Sequence, residues 1–136
     1  MHVENYTTLK QTFAKEERLY EKKLIDQLFK NGKSFFVFPF KVLYMPLTTD
    51  GQLLPKVLIS APKRNFKRAV DRNRIKRLMR EAYRRNKSVL CGEEEGSRHQ
   101  LLIGLIYTAK VEMDYVEIER KIILILQQLL EKNEQV

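Results

Sequence analysis

Residues 70–86 constrain the fold most, because their side chains sort into two opposite faces at the helical period of 3.6 residues per turn. One face is apolar and consists of Ile75, Leu78, Met79, Ala82 and Tyr83. The other face carries arginine, lysine and asparagine side chains with few acidic ones among them. The segment therefore predicts a helix that packs on a core with its apolar side and exposes a dense positive stripe.

The segments before this helix predict one helix and two strands. A helix is predicted over residues 16–30, with Leu24, Ile25, Leu28 and Phe29 on one side and a stop at Asn31–Gly32. Residues 34–45 are rich in aromatic and β-branched side chains, which favours a strand with Pro39 at an edge or a bulge. A turn near residues 48–51 then leads to a strand over 53–60, and the two strands are expected to form an antiparallel hairpin.

The segments after the basic helix predict a central strand and a closing helix. Residues 101–107 are almost all apolar, which is typical of a strand covered on both faces. Asp114 is a suitable N-cap for a helix with apolar residues at helical spacing. That apolar set is Tyr115, Ile118, Ile122, Ile125, Leu126 and Leu129. The predicted order is α-β-β-α-β-α, which corresponds to an α+β two-layer sandwich with a mixed sheet.

The length, charge and hydropathy of the chain limit the functions that it can have. The chain has 136 residues, enough for a single domain over 1–136, and residues 1–12 and 132–136 are expected to be flexible. Its formal net charge of +9 is typical of a protein that binds nucleic acid or an anionic membrane. No apolar run reaches the roughly 18 residues of a membrane span, and residues 1–10 do not look like a secretory signal. A cytoplasmic protein is expected.

Signatures of autonomous catalysis are missing from the sequence. It contains no pair of carboxylates on one helix face, no Ser-His-Asp set and no phosphate-binding glycine loop. One cysteine and two distant histidines give no metal-ligand spacing. We therefore expect no catalytic residue, no metal site and no cofactor bound by the protein alone. The clustered cations of the basic helix repel one another, which favours an anionic partner.

Residues 61–84, APKRNFKRAVDRNRIKRLMREAYR, resemble the bacterial ribonuclease P protein family and its Arg-Asn-Arg helix motif. The motif is Arg72-Asn73-Arg74, and a basic connector precedes it as in that family. The segment LIDQLFKNGKSF and the closing strand and helix follow the family order more weakly. The resemblance also implies a left-handed crossover between two parallel strands through the Arg-Asn-Arg helix.

The resemblance implies two sites. The first is the surface that docks on the catalytic RNA, carried by the connector and the basic helix. Its residues are Lys63, Arg64, Lys67, Arg68, Arg72, Asn73, Arg74, Lys76, Arg77, Arg80 and Arg84. The second is a cleft between the first helix and the sheet for the single-stranded 5′ leader of precursor tRNA, and it is expected to involve Ile25, Phe29, Phe40 and Tyr44.

The function implied by the resemblance is that of a protein subunit that helps a catalytic RNA remove the 5′ leader of precursor tRNA, with Mg²⁺ held through the RNA. One alternative is a stand-alone RNA-binding or ribosome-associated module that uses the same basic stripe. Another is a protein-only nuclease, which would need acidic metal ligands such as Glu93, Glu94 and Glu95 to converge. A basic amphipathic helix could also lie on an anionic membrane.

Overall fold

Four strands form one mixed sheet in the computed structural model, which describes residues 13–46, 55–91 and 101–134. The strands are β1 (Lys33–Val37), β2 (Phe40–Pro46), β3 (Lys56–Ser60) and β4 (Leu101–Tyr107), in the spatial order β1-β2-β4-β3. The pairs β1–β2 and β2–β4 are antiparallel, whereas β3 and β4 are parallel. The apolar segment 101–107 is therefore a central strand, as predicted.

Two helix ends lie where the sequence predicts them. The helices are a short 3₁₀ helix (Lys15–Glu17), α1 (Lys22–Asn31), α2 (Ala69–Asn86), the single turn α3 (Ser88–Cys91) and α4 (Tyr115–Glu134). The backbone N–H of Gly32 donates to the carbonyl of Leu28 at 2.9 Å and closes α1 at the predicted stop. Asp114 Oδ1 accepts the backbone N–H of Glu117 at 3.0 Å, so it is the predicted N-cap of α4.

Helices α2 and α4 cover one face of the sheet and form the main core. Four predicted residues of α2 are buried there, and Leu78 packs against them in a partly buried position. The buried α2 residues are Ile75, Met79, Ala82 and Tyr83, and those of α4 are Ile118, Ile122, Ile125, Leu126 and Leu129. The helical periodicity of both segments therefore predicted their core faces, and we call this side of the sheet the closed face.

Helix α1 packs on the opposite face over a smaller cluster of Leu19, Leu28, Leu43 and Leu102. Gly104 lies beneath α1, where an added Cβ would stand 3.3 Å from Leu28 Cδ2. A larger residue in β4 would push the helix away from the sheet. The glycine in an otherwise bulky strand therefore allows the close approach of α1, and we call this side of the sheet the α1 face.

The α+β fold with a mixed sheet is as predicted, and α2 connects the parallel neighbours β3 and β4. The left hand of this crossover stays a prediction from the resemblance. The strand pairing differs from the expected hairpin between segments 34–45 and 53–60. Segment 34–45 is two strands that turn at Phe38-Pro39, whose peptide bond is cis, and β3 pairs with β4 instead of β2. The element order is α-β-β-β-α-β-α with the added turn α3.

The first helix begins later than predicted, at Lys22 in place of residue 16. Residues 18 and 19 run along the edge of β3, where Arg18 forms an isolated parallel bridge to Val57 and the Leu19 N–H donates to the Val57 carbonyl at 2.9 Å. Burial of Leu19 and pairing with this strand compete with helix formation in that stretch. The predicted helix is therefore divided into a 3₁₀ turn, an extended segment and α1.

A buried ion pair fixes the N-terminal segment to the far end of α2. Lys87 Nζ lies 2.7 Å from Glu17 Oε1, and both side chains are almost fully buried. The ring of Phe13 meets the ring of Tyr83 edge to face, with centroids 5.6 Å apart. The first part of this segment, from Phe13 to Glu17, thus packs on the closed-face side of the sheet, although no periodicity in the sequence marks it.

Some expectations fall on residues that the structure does not describe. Residues 1–12, the turn near 48–51, the start of the strand predicted from residue 53 and the acidic loop with Glu93, Glu94 and Glu95 lie outside the described residues. At the other end, residues 132–134 continue α4 as helix, and the flexible tail expected from residue 132 stays a prediction.

Candidate nucleic-acid interface

The predicted RNA-docking side chains are all accessible on the connector 63–68 and helix α2, and together we call them the basic surface. Seven are exposed, namely Lys63, Arg64, Lys67, Arg68, Asn73, Arg74 and Arg77. Four are partly buried, namely Arg72, Lys76, Arg80 and Arg84. The apolar face of α2 is used by the core, so the helix is held with its polar side outward and needs no ligand to orient it.

Arg72 has a structural contact that the sequence did not predict. Its Nη1 donates to the carbonyl of Phe66 at 2.8 Å and to that of Lys67 at 3.0 Å. Phe66 is itself buried against the ring of Tyr107. Arg72 thereby fixes the connector against the first turn of α2, and only its remaining N–H groups are available to a ligand.

Three other cations of the basic surface have acidic neighbours. Arg84 forms a two-pronged contact with Glu81, and this hydrogen bond lowers the pKa of the Glu81 carboxyl and raises the pKa of Arg84. Arg74 Nε lies 3.8 Å from Glu112 Oε1, and Arg68 Nε lies 3.9 Å from Asp71 Oδ2. The pairs of Arg74 and Arg68 are long and lie at the surface, so they are weak and a polyanion can replace their carboxylates at small cost.

The middle of α2 is the least neutralised part of the basic surface. Lys76, Arg77 and Arg80 form no ion pair with any other residue that the structure describes. Asp71 and Glu81 are the only acidic residues in the sequence from 63 to 87. Unpaired guanidinium groups on a rigid helix suit recognition of phosphate oxygens, because each can present two parallel N–H donors.

The α1 face of the sheet has a second accessible region beyond the helix. Residues paired across neighbouring strands share a face, and the register places Phe36, Lys41, Ile106 and Ser60 in one row across all four strands. Ile106 packs at the edge of the α1 cluster. Phe36 and Lys41 are exposed, while Ile106 and Ser60 are partly buried. We call these four residues the open row.

The residues predicted for the leader cleft do not share one face. Ile25 and Phe29 lie on α1, with Ile25 packed against the smaller cluster and Phe29 half exposed. Phe40 is fully buried in the main core, so the expectation that it contacts the leader is wrong. Tyr44 points to the closed face, where its ring meets Phe35 edge to face at 5.8 Å, and it therefore does not line a cleft with α1.

The open row was missed because residues 34–45 were interpreted as a single strand. In one strand, Phe36 and Phe40 have the same parity and would share a face. The turn at Phe38-Pro39 instead pairs Val37 with Phe40 and Phe36 with Lys41, which puts the two phenylalanines on opposite faces. Proline inside an apolar run is the signal that could have indicated the turn.

A family model described as Ribonuclease P matches residues 13–130 of this chain. The chain belongs to the ribonuclease P protein family. This confirms the family inferred from the Arg-Asn-Arg segment, and the matched region contains the whole basic surface.

Two relatives and one solved structure show how similar this chain is to other ribonuclease P proteins. The ribonuclease P protein component of Porphyromonas gingivalis is 46% identical over 107 residues, which cover 79% of this chain and 78% of the relative. That of Chlorobium phaeobacteroides is 38% identical over 104 residues, with 71% of each chain covered. The ribonuclease P protein from Thermotoga maritima superposes with a TM-score of 0.66 at 26% identity, over 82% of this chain and 96% of that structure.

The family gives the chain its biological role. It is a subunit of ribonuclease P, it works in the 5′ processing of tRNA, and its partner is the ribonuclease P RNA. Within the described ranges, none of the helices combines the length and apolar composition that a bilayer crossing needs. The same residues contain no group of three or more histidine, cysteine or carboxylate side chains that could hold a metal ion.

Proposed function

We propose that this chain is the non-catalytic subunit of ribonuclease P and that the RNA subunit hydrolyses the phosphodiester bond with the help of Mg²⁺. The protein would bind the catalytic RNA through the basic surface and assist the binding of precursor tRNA. The observation that carries the proposal is the cation group in the middle of α2, formed by Lys76, Arg77 and Arg80, which have no ion pair with any described residue. Such a group lowers the repulsion between two RNA molecules and so reduces the need for Mg²⁺.

We further propose that the single-stranded 5′ leader follows the α1 face of the sheet. The half-exposed ring of Phe29 offers a stacking surface, and Lys41 of the open row offers a charge for phosphate. Ile25 would contribute an apolar contact beside them. Phe40 and Tyr44 have no part in this path. As an RNA-processing complex of this kind, the enzyme would work in the cytoplasm.

Cleavage of precursor tRNA at low Mg²⁺ tests the proposal. The catalytic RNA of Porphyromonas gingivalis ribonuclease P would be combined with wild-type protein or with Arg77→Ala/Arg80→Ala. This pair is preferable to Arg72, whose loss would also release the connector. Arg120→Gln is a matched control, because Arg120 is an exposed arginine on α4 outside the basic surface.

We expect wild type and Arg120→Gln to stimulate cleavage, the double variant to stimulate it much less, and protein without RNA to cleave nothing. Protein that binds RNA but never stimulates cleavage would instead favour a stand-alone RNA-binding module. Cleavage by the protein alone would overturn the assignment of catalysis to the RNA.

A further inference from the structure

Two phenylalanines at the tip of the β1–β2 hairpin are among the most exposed large apolar side chains in the described structure. Phe36 and Phe38 are 58% and 55% exposed, and their ring centroids are 6.2 Å apart at an interplanar angle of 57°. Water contact with two adjacent phenyl rings is unfavourable, and neither ring is needed by the core. A contiguous exposed apolar surface of this kind indicates a place where something binds.

The hairpin tip is held rigidly in place. The carbonyl of Pro39 accepts the backbone N–H of Thr108 at 2.8 Å and its hydroxyl at 2.7 Å. The ladder between β1 and β2 is paired up to Val37 and Phe40, the two residues that flank the turn. The rings therefore project from a fixed support, so a ligand that binds them pays little entropy for ordering the protein.

Lys41 brings positive charge beside Phe36. Lys41 is the cross-strand partner of Phe36 and shares its face of the sheet, and the whole hairpin from 33 to 46 contains no acidic residue. The connector is held at the same end of β4, because Asn65 Nδ2 donates to the Tyr107 carbonyl at 3.2 Å, one residue before Thr108. The exposed cations Lys63 and Arg64 precede Asn65 in that connector.

We propose that Phe36 and Phe38 form a stacking platform for unpaired RNA bases, with Lys41 and the connector cations contacting the adjoining phosphates. Aromatic rings beside cations are the combination that binds single-stranded nucleic acid, because bases stack on rings while phosphates are neutralised. A second copy of this chain would bring like charge against like charge, since each carries a formal net charge of +9. The platform rests on the proposed function, because it adds a contact to RNA that the enzyme handles.

Direct binding to single-stranded RNA is the first measurement. The probe is fluorescein-labelled oligoadenylate of about ten nucleotides, compared with a blunt RNA duplex. The proteins are wild type, Phe36→Leu/Phe38→Leu, Phe36→Tyr/Phe38→Tyr and Val116→Ala. Val116 is an exposed apolar residue on α4, outside the hairpin, so its replacement controls for the loss of exposed apolar surface.

We expect the leucine pair to weaken oligoadenylate binding by about fivefold or more and the tyrosine pair to change it by less than about twofold. Duplex binding should stay the same in all variants, because the basic surface is intact. Oligoadenylate binding by the leucine pair at wild-type strength would overturn the platform. An equal loss for the duplex would overturn it too, because it would show a general effect.

Holoenzyme measurements separate the two sources of unpaired bases. The leucine pair would be assayed in complex with the catalytic RNA on precursor tRNAs with long and short leaders, and its affinity for the catalytic RNA would be measured alone. A cleavage defect limited to precursors with long leaders would show that the leader bases stack on the platform. A weaker affinity for the catalytic RNA would show that unpaired nucleotides of that RNA do so. No defect in either, with wild-type stimulation intact, overturns the platform and leaves the proposed function standing. Absence of wild-type stimulation would contradict the proposed function instead.

Discussion

The two faces of the sheet differ in how completely they are covered. On the closed face, α2 and α4 bury Phe40, Val42, Ile103 and Leu105 with no exposed surface. On the α1 face, one helix of ten residues buries Leu43 and Leu102 and leaves the open row accessible. Both faces come from the same alternating strands. The difference shows that stability resides mainly on one side of the sheet, which leaves the other free to bind.

The largest expected effect on stability comes from comparing two phenylalanines of the β1–β2 hairpin, Phe40 on the closed face and Phe36 on the α1 face. Phe40→Ala should lower the free energy of unfolding by about 3–5 kcal/mol, because it leaves a cavity in the main core. Phe36→Ala should change the same quantity by less than about 0.5 kcal/mol, because the ring is exposed. Urea denaturation followed by circular dichroism measures both. Similar losses for the two variants would show that the faces are not divided in this way.

The second-largest effect on stability is expected at the buried ion pair between Glu17 and Lys87, which attaches the N-terminal segment to the closed face. Lys87→Met should cost about 3 kcal/mol of unfolding free energy, because the Glu17 carboxylate would stay buried without its ammonium partner. The double change Glu17→Leu/Lys87→Met should recover most of that loss. A double-mutant cycle in urea gives the coupling. A double variant less stable than Lys87→Met would contradict the electrostatic explanation.

The sequence predicts some elements of the fold and misses others. The core faces of α2 and α4 follow from a helical periodicity over 18 and 20 residues, and the central strand follows from the apolar run at 101–107. The N-terminal segment was missed because a three-residue 3₁₀ helix has no period and its partners Val57 and Lys87 are distant in sequence. Contacts of this kind depend on tertiary structure, which local pattern does not encode.

The candidate site divides in the same way. The basic surface was found because its cations lie in one continuous segment with a recognisable motif. Two of the four residues predicted for the leader cleft, Phe40 and Tyr44, lie on the closed face instead. The face that a strand residue takes depends on where the chain turns. Compared with a single strand, a two-residue turn moves each strand residue before it to the opposite face of the sheet, as Phe36 and Phe40 demonstrate.

The α1 face can be tested by a substitution at the end of its helix. At Gly32 an added Cβ would stand 2.4 Å from the Leu28 carbonyl oxygen, so Gly32→Ala should displace the end of α1 and cost about 2 kcal/mol. Hydrogen exchange should become faster in α1, while amides of α2 and α4 change only as far as global stability changes. Equal acceleration in all three helices beyond the global loss would argue against independent behaviour of the α1 face.

The smallest expected effect on stability belongs to the outer side of α2. Arg77→Ala should leave the free energy of unfolding within about 0.5 kcal/mol of wild type, because the side chain is exposed and unpaired among the described residues. Its affinity for the catalytic RNA should fall severalfold, and the slope of log affinity against log salt should decrease by about one. Filter binding over a salt series measures this slope. An unchanged slope would place Arg77 away from phosphate.

The position of β4 in the chain also has a consequence for synthesis. β4 is the strand that joins β2 to β3, yet it comes from residues 101–107, after the hairpin, β3 and the whole of α2. During translation, β3 therefore has no bond to the rest of the sheet until β4 emerges from the ribosome, and the basic helix emerges before β4 and α4 complete the core beneath it. The nascent chain thus presents its most cationic segment while its fold is still incomplete, and the sheet can be completed only after the basic helix has been synthesised.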